Sequence, residues 1–415
     1  MDLKRVVVTG VGALTPIGNS VSEFWQALLQ GVSGAHLITR FDPERFKCKI
    51  ACEVKGFDPL AHFDRKELKK IDPFVQYGIV AAEEAIADAV LDCCGIDKDK
   101  VGVIWGSGVG GVNNFESECR DFYLGGETPR FSPFFVPKMI TDICAGHISI
   151  RHGYHGPNYS AVAACASSAA AISDAFNLIR LGKATAIVAG GSEAAVTPCG
   201  IGGFSSMMAL STRNDDPATA SRPFDKGRDG FVLGEGAACI VLEEMGHARA
   251  RGAKIYAELT GAGLSADAHH ITASHPEGKG AILAMRQAVE ESGMQLSDVD
   301  HINTHGTSTP VGDISEPKAV ATLFGDHAYK IALNSTKSMT GHLLGASACT
   351  ETIATILAIC HNIVPPTINH FEDDPDIVPL DFTFNKAAER RVDFALCNSF
   401  GFGGHNICLA FRRFV

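Results

Sequence analysis

The stretch VTGVGAL, residues Val8–Leu14, occurs a second time in altered form as LTGAGLS, residues Leu259–Ser265. Two further pairs of similar segments follow in the same order: residues 96–104 with 296–302, and residues 231–240 with 400–409. Chance can produce one such match, but three matches in the same order indicate an internal duplication. We therefore divide the chain near Lys254 into an N-terminal half, residues 1–254, and a C-terminal half, residues 255–415.

Each half alternates short apolar runs with amphipathic helical patterns. Runs typical of buried strands are Arg5–Val8, Val101–Trp105, Ala186–Ala189 and Ala238–Leu242. Helical periodicity covers Phe74–Val90, Ala169–Leu181 and Gly280–Ser292. This alternation predicts an α/β fold. Because the two halves are related, we expect a layered sandwich, with a sheet from each half and helices between and outside the sheets.

Composition restricts the class of protein. The chain has 415 residues, 46% of them hydrophobic, and a formal net charge of −11, which argues against general nucleic-acid binding. The 13 cysteines are scattered, and neither Cys93-Cys94 nor Cys48 with Cys52 forms a zinc-ligand pattern with histidines, so we expect reduced thiols. We expect no signal peptide, lipid anchor or spanning helix, and a soluble cytoplasmic protein.

Cys165 lies where an apolar, strand-like run gives way to small residues and then to a helical pattern. A thiol at that junction points at the positive end of a helix, which favours the thiolate. By itself such a cysteine is more often a small buried hydrophobe. The two distant His-Gly segments around His305 and His342 favour a nucleophile with two acid/base helpers.

Three other motifs have a simpler interpretation. Gly106–Gly111 fits G-x-G-x-x-G after a strand, but polar residues follow it and it lies in the middle of a half, so we do not expect a dinucleotide site. His269, His270 and His275 lie in a polar loop, where solvated side chains are commoner than a metal site. The basic run Arg65–Lys70 is either a solvated helix face or a docking site for an acidic partner.

Several motifs in fixed order resemble the β-ketoacyl-acyl carrier protein synthases, most of all their elongating type, synthase II. They cover the whole chain: residues 5–12, Cys165 with 189–193, 221–225 with 228–231, 305–310, 337–342 and 398–406. The family has the thiolase fold, a layered α-β-α-β-α sandwich of two similar halves. The resemblance implies an acyltransferase of type II fatty-acid synthesis, which extends an acyl thioester with malonyl carrier protein and releases CO₂.

The resemblance assigns roles to particular residues. Cys165 is acylated, and the N–H groups of Cys165 and Phe402 form the oxyanion hole. His305 and His342 donate hydrogen bonds to the enolate that decarboxylation leaves, and neutral imidazoles suffice for this. Lys337 supports the site electrostatically.

Further positions match the family's binding residues. Thr307 and Thr309 hydrogen-bond the phosphopantetheine arm, Phe400 lies beside the malonyl site, and Phe402 gates an acyl tunnel near Val109. Two positions match structural residues at the site: these are Glu351 and Asn398. The resemblance implies no cofactor and no catalytic metal. It leaves open a monovalent cation beside Asn303 and Asn398.

The sequence departs from the family pattern at Ala163, Ser167-Ser168 and Thr304, which affects the pocket and therefore the preferred chain length.

Related classes fit less well. A thiolase needs a second reactive cysteine near the end, where this chain reads Phe402-Gly403-Gly404-His405-Asn406. The initiating synthase lacks the equivalent of His342, and an inactive chain-length factor lacks the cysteine. A polyketide ketosynthase differs in substrate and partner and stays open.

The expected partners are an acyl carrier protein with a phosphopantetheine thioester and a second copy of the chain. Arg65–Lys70, with Arg130 and Arg213 as helpers, supplies a local positive patch for an acidic carrier on a chain that is itself acidic. The low charged content, 20%, and the apolar stretch around Cys165 favour a subunit interface behind the site, so we expect a homodimer. We expect neither nucleic acid nor membrane as a partner.

Overall fold

The structure is a computed structural model that describes residues 3–92 and 95–415. Cys93 and Cys94, considered above as metal ligands, lie outside the described residues. The strands are β1 Val6–Leu14, β2 His36–Leu37, β3 Ile50–Ala51, β4 Val101–Gly106, β5 Asn158–Ala161, β6 Ala186–Glu193, β7 Gly236–Glu244, β8 Ala257–Ala266, β9 His301–Asn303, β10 Ala332–Asn334, β11 Ile363–Val364, β12 Ala388–Glu389, β13 Phe394–Gly401 and β14 His405–Arg413. The helices are α1 Val21–Gln30, α2 Arg65–Leu68, α3 Pro73–Asp88, α4 Val112–Leu124, α5 Phe135–Met139, α6 Ile143–His152, α7 Ser167–Arg180, α8 Pro198–Ser206, α9 Met245–Ala250, α10 Lys279–Glu291, α11 Gly312–Phe324, α12 Lys337–Thr340 and α13 Ser347–His361.

Ten strands form one sheet in the order β10-β9-β13-β14-β8-β1-β7-β6-β4-β5. The first five belong to the C-terminal half and the last five to the N-terminal half. Each half repeats the same arrangement, with β8, β9, β10, β13 and β14 in the places of β1, β4, β5, β6 and β7. The predicted duplication is therefore confirmed. The sequence did not predict that the halves are joined by hydrogen bonds, through antiparallel pairing of Val6–Val8 with Ala257–Leu259.

The helices form three layers around the strands. The central helices α7 and α13 pack against each other and against strands of both halves. Helix α3 covers the outer face of β1, β7 and β6, while α10 covers the outer face of β8 and β14. Residues Leu344–His361 are apolar and long enough to cross a membrane, but 89% of this stretch is buried inside the protein. It is therefore the core helix of the sandwich, and the predicted fold class is confirmed.

The repeated Thr-Gly-x-Gly motif has a packing role that is the same in both halves. A Cβ added at Gly12 would lie 2.0 Å from the carbonyl oxygen of Ala81 in α3. A Cβ added at Gly263 would lie 1.9 Å from the carbonyl oxygen of Ala284 in α10. The first glycine of each motif makes an equally close approach. Only glycine lets strand and helix backbones pack this closely, so the motif fixes the outer layer of each half.

We expect Gly12→Ala and Gly263→Ala each to destabilise the protein by about 1–3 kcal/mol or more, the usual cost of overpacking a core. Chemical denaturation of each variant measures this. Gly146→Ala in α6 is the matched control, because an added Cβ there meets no atom within 4 Å. The control should be neutral or slightly stabilising. Equal stability of all three variants would contradict the proposed role of the motif.

Candidate active site

Cys165 lies in a 3-10 turn, Ala164–Ala166, directly before α7. The preceding Ala164 has a φ of +49°, which is unusual for a residue with a side chain and marks a sharp, strained turn. The C-terminal half repeats this feature at Leu344, with a φ of +48°, which is the first residue of a second 3-10 turn that leads into α13. The two turns meet near the centre of the protein, because α7 and α13 pack against each other.

The expectation that the helix terminus would make Cys165 a thiolate needs correction. The side chain is buried, and this burial raises its pKa to about 11. The backbone N–H of Phe402 and the positive charge of Lys337 act in the opposite direction but do not outweigh burial. In the free protein the thiol form therefore predominates, since the helix terminus considered in the sequence is only one of the contributions.

Two backbone donors meet the sulfur of Cys165: the N–H of Phe402 and its own N–H, both of which favour negative charge there. The loop that carries Phe402 passes very close to the cysteine turn. A Cβ added at Gly401 would lie 2.5 Å from the carbonyl oxygen of Ala163. Gly403 has a φ of +88°, a conformation that favours glycine. The glycines therefore allow both N–H groups to reach the sulfur, and their role as oxyanion donors stays a prediction.

His305 and His342 lie side by side, with ring centroids 5.5 Å apart. Burial, together with the charge of Lys337, lowers the pKa of both imidazoles well below the usual value. Both rings are therefore neutral, as the predicted donor role requires. The hydroxyl of Ser347 lies 2.9 Å from Nδ1 of His342. A hydroxyl that donates to Nδ1 leaves the ring proton on Nε2, where it can be donated to a substrate.

Lys337 and Glu351 form an ion pair, and each side chain is only 1% exposed. Burial raises the pKa of Glu351, while Lys337 lowers it. The same lysine also acts on Cys165 and on both histidines. Its placement matches the electrostatic role that the sequence resemblance implies.

Sequence reasoning missed Glu316, which holds the His305 segment. Its carboxylate accepts hydrogen bonds from the N–H groups of His305 and Gly306, both at 2.9 Å, and from the Asn398 amide at 3.0 Å. Glu316 lies in α11 directly before Pro317 and is buried. No motif surrounds Glu316 in the sequence, so no signal along the chain pointed to this role. The role is visible only because α11 packs against the His305 segment.

A cavity of about 670 Å³ opens above these groups. Its lining includes most of the predicted site: Cys165, His305, His342, Thr307, Thr309, Phe400 and Phe402. The hydroxyl oxygens of Thr307 and Thr309 lie 3.0 Å apart. Val109 does not line this cavity, and 46% of its side chain is exposed. The acyl tunnel near Val109 therefore stays a prediction.

The monovalent cation beside Asn303 and Asn398 stays a prediction, which three buried oxygens support. Asn303 donates its amide to the backbone oxygen of Glu351 at 3.2 Å, so the two residues are in contact. Within the described chain, the side-chain oxygens Oδ1 of Asn303, Oδ1 of Asn398 and Oε2 of Glu351 are buried without a hydrogen-bond donor. Buried acceptors normally have a partner, and a hard cation prefers oxygen ligands. Such an ion would hold these side chains in place beside Lys337.

The glycine-rich segment Gly106–Gly111 holds no nucleotide-binding arrangement. It follows β4, as the dinucleotide motif requires, but its N–H groups already bind a side chain of the protein. Gly108 and Val109 donate to the carboxylate of Glu193 at 2.7 and 3.2 Å. The donors that would bind a pyrophosphate are therefore occupied by an internal anion.

The chain belongs to the beta-ketoacyl synthase family. The family model "Beta-ketoacyl synthase, N-terminal domain" matches residues 3–248, and "Beta-ketoacyl synthase, C-terminal domain" matches residues 256–371. Curated relatives named 3-oxoacyl-[acyl-carrier-protein] synthase 2 come from Synechocystis sp. and Coxiella burnetii. Each is 48% identical to this chain, and the alignments cover 100% of this chain and 99% of each relative.

Solved structures agree with the family. A beta-ketoacyl synthase from Burkholderia phymatum superposes with a TM-score of 0.92 at 35% identity, over 99% of this chain and 100% of that one. The ishigamide ketosynthase/chain length factor has a TM-score of 0.91 at 34% identity, with both chains covered completely. These similarities confirm the thiolase-like fold and a condensing enzyme that transfers acyl groups.

The Phe402 ring lines the cavity and lies 6.5 Å, between ring centroids, from Phe204 in α8. We expect Phe402→Ala to change the rate of Cys165 acylation in a way that depends on acyl-chain length, because a long chain must pass the ring. Acylation reactions with short and long acyl thioesters, quenched at successive times, measure this rate. Phe371→Ala, at an exposed phenylalanine outside the cavity lining, is the control. Equal slowing at every chain length would point instead to a damaged oxyanion hole.

Proposed function

We propose that this protein elongates acyl chains on an acyl carrier protein by decarboxylative condensation, with Cys165 as nucleophile. One observation carries the proposal. A single cavity brings together a buried cysteine with two backbone donors at its sulfur and two neutral histidines. A nucleophile beside an oxyanion hole suits acyl transfer, and paired neutral donors suit a developing enolate.

In the first half-reaction the sulfur of Cys165 attacks the carbonyl carbon of an acyl thioester. The carbonyl oxygen becomes negative and accepts hydrogen bonds from the N–H groups of Cys165 and Phe402. The carbon–sulfur bond to the carrier's phosphopantetheine breaks. The thiol proton of Cys165 leaves with the departing thiolate, so the products are acyl-Cys165 and the free carrier thiol.

In the second half-reaction malonyl carrier protein binds in the same cavity, with Thr307 and Thr309 against its phosphopantetheine arm and Phe400 beside the malonyl group. Loss of CO₂ leaves an enolate, and its oxygen accepts hydrogen bonds from His305 and His342. The enolate carbon attacks the carbonyl carbon of acyl-Cys165, the carbon–sulfur bond breaks, and a β-ketoacyl carrier protein leaves. The sulfur of Cys165 departs as a thiolate and takes up a proton from solvent, which restores the thiol. Lys337, with Glu351 and Asn398 behind it, stabilises negative charge throughout the reaction.

Two observations support fatty-acid elongation over polyketide synthesis. The relatives named 3-oxoacyl-[acyl-carrier-protein] synthase 2 are 48% identical over the whole chain. A type II polyketide ketosynthase, solved with its acyl-carrier protein, is 32% identical at a TM-score of 0.91. We propose the cytoplasm as the location, where carrier-bound intermediates of this kind are extended. We also propose that the chain consists of an N-terminal half, residues 1–254, and a C-terminal half, residues 255–415.

Variants of the three reacting residues test the proposed function. With Cys165→Ala, intact-mass measurement should show no acyl adduct after incubation with acyl carrier protein. With His305→Ala or His342→Ala, acylation of Cys165 should persist, whereas decarboxylation of malonyl carrier protein should lose on the order of 2–4 kcal/mol of transition-state stabilisation, the usual cost of one oxyanion donor. His155→Ala, at an exposed histidine, is the control. An acyl adduct on Cys165→Ala would refute the proposal.

We propose that the basic run Arg65–Lys70, with Arg130 and Arg213 as helpers, docks the acidic carrier. Within the run, the carboxylate of Glu67 is paired with Arg151, outside the run, at 2.6 Å. No carboxylate forms an ion pair with the four cations of the run among the described residues. Unpaired cations on a chain of net charge −11 are available to steer an acidic partner.

Reversal of Lys66, Lys69 and Lys70 to Glu should raise the KM for carrier-protein substrates and leave kcat nearly unchanged, because a peripheral charge affects encounter more than chemistry. The effect should weaken as salt rises. The matched control reverses Lys4 and Lys183, which are exposed near the end of α7 opposite Cys165. Steady-state kinetics at low salt measure the KM. An unchanged KM would contradict the docking role and show that the run is a solvated helix face.

We propose a homodimer formed along the edge of the sheet at β5. This strand pairs with β4 on one side and ends the order of strands, so its other side can pair with a second copy. Val162 follows β5 with 59% of its side chain exposed, and Val109 follows β4 in the same region. Pairing of two β5 strands would cover both apolar side chains.

Sedimentation at micromolar concentration should therefore show a species of twice the chain mass of 43.9 kDa. Val162→Lys places a charge in the proposed interface and should shift the equilibrium towards the monomer. Val32→Lys, at another exposed valine, is the control. A stable, active monomer of the unaltered protein would reject this assembly.

A further inference from the structure

Glu193, the last residue of β6, is a buried carboxylate that the proposed reaction does not use. Four donors converge on it. One oxygen accepts from the N–H groups of Gly108 at 2.7 Å and Gly345 at 3.0 Å. The other accepts from the Val109 N–H at 3.2 Å and the Ser107 hydroxyl at 3.0 Å. Three backbone N–H groups and a hydroxyl around one carboxyl group suit its ionised, acceptor-only form.

These hydrogen bonds join two segments that border the reacting groups. The first is the loop after β4: a Cβ added at Gly108 would lie 3.4 Å from the carbonyl oxygen of Ala164, directly before Cys165. The second is the turn before α13, where Gly345 follows His342 by three residues. A Cβ added at Gly345 would lie 2.4 Å from the backbone nitrogen of Gly108, so the two segments are in backbone contact. Glu193 therefore connects the cysteine turn to the histidine segment.

The internal duplication explains why a carboxylate fits here. The turns before α7 and α13 correspond, as the matching φ angles of Ala164 and Leu344 show, and Gly345 takes the place of Cys165. In the N-terminal half this turn offers its N–H to the reacting sulfur and its oxyanion. In the C-terminal half the same N–H binds Glu193. The second turn has no nucleophile, and its donors are used to clamp the structure.

Glu193 is not neutralised by a neighbouring cation: no ion pair joins it to a described lysine, arginine or histidine. Burial raises its pKa, and the N–H groups and the Ser107 hydroxyl lower it. Its charge also raises the pKa of Cys165, where Lys337 acts in the opposite direction. Glu193 also acts on Asp72, whose pKa is raised mainly by burial and in small part by the charge of Glu193.

We propose that Glu193 is a positioning residue for the condensation: its carboxylate clamps the loop after β4 to the turn before α13 and so fixes Cys165 relative to His342. This inference rests on the proposed function, because it assigns a role within the same site. A clamp with a negative charge differs from a purely structural contact in one measurable respect. Its removal must change the titration of the neighbouring thiol as well as the rate of acyl transfer.

The test compares Glu193→Gln with Glu84→Gln in the full-length protein. Glu84 in α3 is the matched control, since its carboxylate also accepts backbone N–H bonds, from Ala13 at 2.8 Å and Val21 at 2.9 Å, but lies in the outer layer. Two readouts are measured: the pH dependence of iodoacetamide alkylation, followed by mass spectrometry on the Cys165 peptide, and the single-turnover rate of Cys165 acylation.

With Glu193→Gln, the alkylation profile should shift to lower pH, because loss of a negative charge lowers the pKa of the thiol. Acylation should slow at least tenfold. Glu84→Gln should change neither readout, although both variants lose stability. A folded Glu193→Gln protein with an unchanged alkylation profile or an unchanged acylation rate overturns the proposal. Alkylation needs no carrier substrate, so this readout is independent of whether the proposed function is correct.

Glu193→Asp covers the case in which Glu193→Gln does not fold. It keeps the charge and withdraws the carboxylate by one methylene group. The alkylation profile should then stay close to that of the unaltered protein, while acylation slows at least tenfold because the clamp is displaced. Acylation at the unaltered rate in Glu193→Asp overturns the proposal.

Discussion

The ion pair between Lys337 and Glu351 is the interaction on which the chemistry of the site depends. A buried lysine without a partner would lose its proton or destabilise the fold, and removal of one partner of such a pair costs about 3–5 kcal/mol. Glu351 is the partner of the positive charge of Lys337, and both side chains are buried. That charge opposes the effect of burial on Cys165 and adds to it at His305 and His342. One cation therefore favours a reactive sulfur and two neutral hydrogen-bond donors.

The duplication supplies the framework for this arrangement. Each half uses a Thr-Gly-x-Gly strand against an outer helix and a strained turn before a central helix. Because α7 and α13 lie together in the central layer, their two turns meet. The halves then diverge: one turn carries Cys165, while the other carries Gly345 and binds Glu193. A symmetric fold thus contains one asymmetric site, since Gly345 stands in the second turn where the first turn has Cys165.

Much of the site could be predicted because its residues lie in short motifs of distinctive composition. Cys165, His305, His342 and Phe402 each stand among glycines or small residues, and the cavity brings all four together. Glu316 and Ser347 could not be found in this way. Each lies in a helix of ordinary sequence and acts through one contact made by folding, Glu316 on the His305 segment and Ser347 on the His342 ring.

The sequence by itself determined the α/β class and the duplication, because hydrophobic periodicity and repeated segments can be seen along the chain without its fold. It predicted the reacting residues through short motifs that resemble a known family. The tertiary structure decided the protonation of those residues. The helix terminus favours a thiolate at Cys165, yet burial raises the pKa to about 11. The tertiary structure also decided that the glycine-rich segment after β4 binds Glu193 rather than a nucleotide. Burial and through-space charge depend on which distant segments pack together, and no local pattern in the chain contains that information.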